Sequence, residues 1–128
     1  MFQRLAVLQM AHDAAVHAAA RQGVIARNVA HADTPGFRAQ DLPSFAATLR
    51  EGGAGTAALL ASRPGHLDAH AATRPARPVV DRGAAVNPNG NSVALDRELM
   101  RAAMARQDHD TALTVYRSVT GILRAALG

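Results

Sequence analysis

The chain has 128 residues, a formal net charge of +4 at pH 7, 48% apolar residues, 3% aromatic residues and no cysteine, which allows one modest domain and argues against a multidomain enzyme. All of its positive charge is Arg, with no Lys, and the surplus divides as +1, +2 and +1 over 1–37, 38–91 and 92–128. The high pI therefore reflects a side chain that does not titrate near neutrality, not a basic patch, and nucleic-acid binding is not indicated. Lack of cysteine excludes disulfides, thiolate nucleophiles and Cys-bearing zinc sites.

Arg4 followed by Leu5 to Met10 has the outline of a secretory signal. The apolar run is interrupted by Gln9 and ends at His12 and Asp13, too short for a signal core and far too short for a membrane span. A soluble, uncleaved chain is expected.

From about residue 3 to residue 31 there is no proline, alanine is abundant, and a 4-3 spacing selects Leu5, Leu8, His12, Ala15, Ala19, Gln22, Ala26 and Val29. This predicts a long helix with a narrow seam. The following Thr34-Pro35-Gly36-Phe37 predicts a chain reversal, because proline drives Thr34 out of helical space and Pro-Gly supplies the two central dihedrals of a type II turn. Asn28, in the last turns of the helix, has an amide able to satisfy orphan carbonyls or tie the turn down.

The stretch 38–91 holds five of the six prolines, several glycines and only nine of the large apolar residues, so it reads as a loop-rich middle with short helical or extended pieces. His66-Leu67-Asp68-Ala69-His70 has zinc-chelating spacing on a helix but lacks the Glu after the first His and sits beside Pro64-Gly65, so metal binding is not expected. Ser44, Ser62, Ser92 and Ser118 have no nucleophile-elbow context; no catalytic, cofactor-binding or metal residue is assigned.

In 92–128 the 4-3 spacing returns at Leu95, Leu99, Ala102, Arg106, His109, Leu113, Tyr116, Thr120, Leu123 and Leu127, predicting a second long helix. Asp96 and Glu98 suit its dipole, and Glu98 with Arg101 forms an i,i+3 pair. The expected fold is mainly α: an elongated, antiparallel two-helix coiled-coil hairpin built from 1–37 and 92–128, with the irregular middle 38–91, one structural domain in all. Leu5, Leu8, Leu99, Leu113, Tyr116, Leu123 and Leu127 are expected along the helix seam and in assembly. Val7, Met10, Val24, Ile25, Met100, Met104, Val115 and Ile122 lie off that seam and are expected to meet other chains. Such a hairpin leaves apolar surface bare, which predicts assembly.

The string Asn28-x-Ala30-x-x-x-Thr34-Pro35-Gly36-Phe37 at the end of a long N-terminal helix resembles the signature of the bacterial flagellar rod, hook and axial protein family. The run Gly90-Asn91-Ser92-Val93-Ala94-Leu95-Asp96-Arg97-Glu98-Leu99, with Asn91, Val93, Leu95 and Glu98, resembles that family's second signature, and the short length points to its smallest members, those of the proximal rod. His31 stands where members commonly have Asn, and Ala94 where Asp or Asn is usual, so the second helix must be capped from elsewhere, by Asn91 or Ser92, or start at a different residue.

The resemblance implies a structural subunit of the periplasmic rod, not an enzyme, with no cofactor or small-molecule substrate. It would pass through the flagellar type III export apparatus without a cleaved signal. Its partners would be copies of itself in a helical array, other rod proteins, and the adaptor joining rod to membrane ring. The rival from another class is a small Arg-rich helical protein binding nucleic acid or an anionic membrane surface, which a salt-dependent gel shift would reveal.

Overall fold

The computed structural model describes residues 2–56 and 76–128. Helix α1 spans Phe2–Ala30, strand β1 Gln40–Asp41, helix α2 Phe45–Thr56, strand β2 Val79–Val80 and helix α3 Leu95–Leu127. With 29 and 33 residues, α1 and α3 are roughly 44 and 50 Å long at the usual helical rise. They pack antiparallel: the last turns of α1 meet the first turn of α3 at Asn28 and Glu98, while Ala11 and Ala112 line one groove farther along. The fold is the mainly helical hairpin expected. Among the described residues no helix is long and apolar enough to cross a membrane.

Apart from Ala15, which lies on the expected stripe and is buried, the seam runs about one position away from the leucine stripe. On α1 the buried residues are Ala11, Ala15, Ala18, Val24, Ile25 and Asn28, and on α3 they are Glu98, Ala105 and Ala112, one per heptad. Leu5, Tyr116 and Leu127, expected in the intrachain seam, are exposed, as is Leu99, expected along the seam and in assembly, and Val24 and Ile25, expected to meet other chains, are buried. Leu8, Leu113 and Leu123 are half-buried at its margin. The reason is steric and polar together. Alanine methyls let two backbones approach closely where leucines would hold them apart, and the buried pair Asn28 and Glu98 sets the rotation of both helices.

The two strands pair antiparallel, with Gln40 opposite Val80 and Asp41 opposite Val79. Helix α2 starts at a serine cap, Ser44 Oγ accepting the Ala47 N–H at 3.2 Å. Its start is fixed on α1 by His17, whose Nε2 donates to Pro43 O at 2.8 Å. Helix α3 begins without a side-chain cap: Ala94 occupies the N-cap in extended conformation. Asn91 and Ser92 do not replace it, because both side chains are engaged elsewhere. The acidic Asp96 and Glu98 in the first turn favour the positive end of the helix dipole instead.

Candidate functional site

The family-signature residues converge where α1 ends and α3 begins. Phe37 N–H donates to Thr34 O at 3.2 Å and Gly36 has φ +76°, the bond and dihedral of a turn centred on Pro35 and Gly36. The ring of His31 stacks on Phe37 with centroids 4.5 Å apart, and its Nδ1 lies 3.2 Å from Thr34 Oγ1.

A second turn, Asn87-Pro88-Asn89-Gly90, presses against the first. Gly90 N–H donates to Asn87 O at 2.8 Å, and Gly36 N–H donates to Asn89 O at 3.0 Å. Gly90 has φ +82°, and a Cβ there would sit 3.1 Å from Gly36 Cα. The missing Cβ of Gly90 allows the turns this proximity, and the positive φ at both positions suits glycine.

Asn91 fastens the two segments together. Its amide nitrogen donates to His31 O at 2.9 Å and Thr34 O at 2.8 Å, carbonyls at and beyond the helix end, and its Oδ1 accepts the Val93 N–H at 2.7 Å. Ser92 Oγ accepts the Ala39 N–H at 2.8 Å. Those bonds explain why neither residue caps α3.

Asn28 lies at the centre of the junction and is fully buried, like Asn91, with Glu98 1% exposed. Its Nδ2 donates to Gln40 O at 2.7 Å and to Glu98 Oε2 at 3.0 Å, and its Oδ1 accepts the Gln40 N–H at 3.1 Å. The other Glu98 oxygen accepts from Arg101 Nη1 at 3.0 Å. Every buried side-chain polar atom described has a partner, as the cost of leaving one bare requires.

Around this centre, charges tie the middle of the chain to the helices. Arg21 holds Asp41 with two parallel bonds of 2.9 and 3.0 Å. Arg101 donates to Asp81 and lies 3.6 Å from Asp41. The Arg101 hydrogen bond, helped by the Gly83 N–H and by the charges of Arg101 and Arg97 and opposed by burial, holds the Asp81 carboxyl below the usual carboxylate range. Arg21, Arg97 and Arg101 are thus engaged by carboxylates of their own chain.

Ala30 and Leu95, also in the signatures, are exposed, Val93 is buried, and Thr34, Pro35 and Gly36 lie at the surface. Sequence reading missed Arg21, Gln40, Asp41 and Asp81, which carry no periodic signal. His66 and His70 lie outside the described residues. Among the described residues no group of three or more His, Asp or Glu is placed to hold a metal ion.

Outside the seam much apolar surface of the hairpin is uncovered. Phe2, Leu5, Met100, Met104, Ile122 and Leu127 are exposed. An open groove of about 430 Å³ runs between Val7, Met10 and Ala14 of α1 and Thr111 and Val115 of α3, with Phe45 also in its lining. These surfaces offer packing.

No protein-family model matches the chain. The chain is 35% identical over 127 residues to the flagellar basal body rod protein FlgB of Salmonella typhimurium, with 92% of this chain and 91% of that protein covered.

Proposed function

The chain belongs to the FlgB family of flagellar basal-body rod proteins, and from that premise we propose that it is a subunit of the proximal rod, assembling with copies of itself and other axial proteins into the helical shaft that carries torque across the periplasm. It reaches the rod through the flagellar export apparatus, and the adaptor between rod and membrane ring is among its neighbours. The observation that carries this reading is the apolar surface left uncovered along both long helices. A helical tube needs contacts that do not close on themselves, so each subunit must present two different faces, and a hairpin whose leucines and methionines flank an alanine seam has them. The test is genetic and biochemical. A strain of the source organism lacking the chain should be non-motile, and a tagged copy should restore motility and co-fractionate with rod proteins in isolated basal bodies. Motility without the chain would overturn the proposal.

A related expectation concerns the free chain. On α1 nothing before Ala11 is buried, and on α3 nothing after Ala112, so both far ends lack the packing that holds a helix in water. Circular dichroism of the free chain at micromolar concentration should show less helix than Phe2–Ala30 and Leu95–Leu127 together require. Full helicity would contradict the view that neighbours complete this part of the fold.

A further inference from the structure

The strand β2 and its flanking residues 76–86 lie across the junction as a strap with almost no apolar attachment. Val79 and Val80 are 54% and 47% exposed, Val86 is exposed, and Arg77, Pro78 and Arg82 face solvent too. The strand pairs over only two residues. What else binds the strap to the molecule passes through Asp81. Its N–H donates to Ala39 O at 2.9 Å, and its carboxylate takes Arg101 and, at 3.6 Å, Arg97 of α3 as well as the strap's own Gly83 N–H at 3.0 Å.

The layer beneath is held differently. Ala39 and Leu42 are buried, Gln40 is bonded in both directions to Asn28, and Asp41 is clamped by Arg21. Strand β1 is therefore part of the junction, whereas β2 is held to it by a two-residue pairing, the Asp81 N–H and one side chain.

We propose that Asp81 is a single-point latch, and that the strap 76–86 lifts from the hairpin as a unit when this carboxylate is neutralised or screened, leaving β1 and the α1–α3 seam in place. Arg101 keeps Asp41 and Glu98 when Asp81 departs, so the buried glutamate is not stranded and the helices have no cause to separate. The device lets the strap 76–86 be re-aimed independently of the helical pair.

The sign of the acid effect follows from the charges that face the latch: Arg101 and Arg97 from α3, with Asp41 of β1 and Glu98 of α3 sharing Arg101. A carboxyl held below its ordinary range stabilises the closed strap at every pH above that range and loses this effect as pH falls through the lowered value, that is, below about pH 4.

Hydrogen exchange of the full chain, read by mass spectrometry and corrected for intrinsic rates, tests the latch. Asp81→Asn should raise exchange in 76–86 by about ten-fold or more at neutral pH, while peptides covering 37–43 and the seam around Ala18 and Ala105 change less than about two-fold. Raising KCl to about 0.5 M should act on wild type in the same direction. Val80→Ala, which removes strand surface and leaves the latch, should change exchange in 76–86 less than about two-fold. Retained protection of 76–86 in Asp81→Asn, equal opening by Val80→Ala, or loss of protection in strap and helices together would each overturn the proposal.

Discussion

Asn28→Ala is expected to destabilise the chain by about 3 kcal/mol, more than any substitution on the leucine stripe. The change removes one small side chain but unmakes three hydrogen bonds, those to Gln40 O, Gln40 N–H and Glu98 Oε2. A cavity the size of an amide at a fully buried position leaves Glu98 with Arg101 alone on its other oxygen. A buried acceptor deprived of its donor loses its desolvation compensation, which outweighs the modest net value of the bond itself. Urea or thermal unfolding followed by circular dichroism should show the loss, with Tm lower by roughly 10 °C. Asn28→Asp separates the hydrogen-bonding role from the volume. It keeps the size and can still accept from Gln40 N–H, but it sets a second carboxylate against Glu98 and faces Gln40 O with no donor, so it should be at least as destabilising as alanine. If Asn28→Asp were as stable as wild type at neutral pH, the buried Asn28–Glu98 contact would not be what fastens the hairpin.

The hairpin itself was legible because it rests on features that a linear reading detects: two proline-free, alanine-rich runs at the ends of the chain and a Pro-Gly reversal after the first. The rotation of the helices was not. A periodic reading favours the stripe with the largest side chains, Leu5, Leu99 and Leu127, whereas close approach favours the smallest, Ala11, Ala18, Ala105 and Ala112. Two stripes one residue apart are equally regular, and polar Asn28 and Glu98, which decide between them, score against burial in any hydropathy pattern. Signature residues Asn28, Asn91 and Glu98 were identifiable by their resemblance to a family, but not what they bind. Asn91 reads as a helix cap and instead satisfies His31 O and Thr34 O, more than fifty positions away in sequence. Arg21 pairs with Asp41 and Arg101 with Asp81 across separations of 20 residues each, and isolated charges in a loop or on a helix announce no partner.

The junction couples to assembly through geometry. In the proposed rod, contacts between chains would depend on how α1 and α3 sit relative to each other, because the exposed apolar residues flank the seam on both helices. That relation is set by the alanine seam and, at the junction, by the crossing of 34–37 with 87–92 and the bonds that link Asn28 to Gln40 and Glu98. A small rotation at the junction displaces the far tips of helices roughly 44 to 50 Å long, so substitutions that leave most of the surface untouched are expected to remove the proposed array.

Gly36→Val is therefore expected to abolish assembly and motility even though a Cβ at Gly36 would meet nothing within 4 Å. The obstacle is the backbone. At φ +76° a residue with a Cβ pays about 1–2 kcal/mol, and a β-branched one more, so valine drives the turn toward negative φ and pulls Thr34 O and Phe37 away from Asn91 and Ser92. Asparagine visits the left-handed region more readily than valine, so Gly36→Asn should retain swimming in soft agar where Gly36→Val does not. Gly90→Ala adds a steric term to the same conformational one, since its Cβ would lie 3.1 Å from Gly36 Cα, a backbone atom with no rotamer to yield. It should fail as Gly36→Val does, and Gly36→Asn should not rescue it, because the contact involves backbone on the Gly36 side. Normal motility of Gly36→Val, or equal loss in Gly36→Asn and Gly36→Val, would show that the positive dihedral at this turn is not what aligns the two helices for the rod.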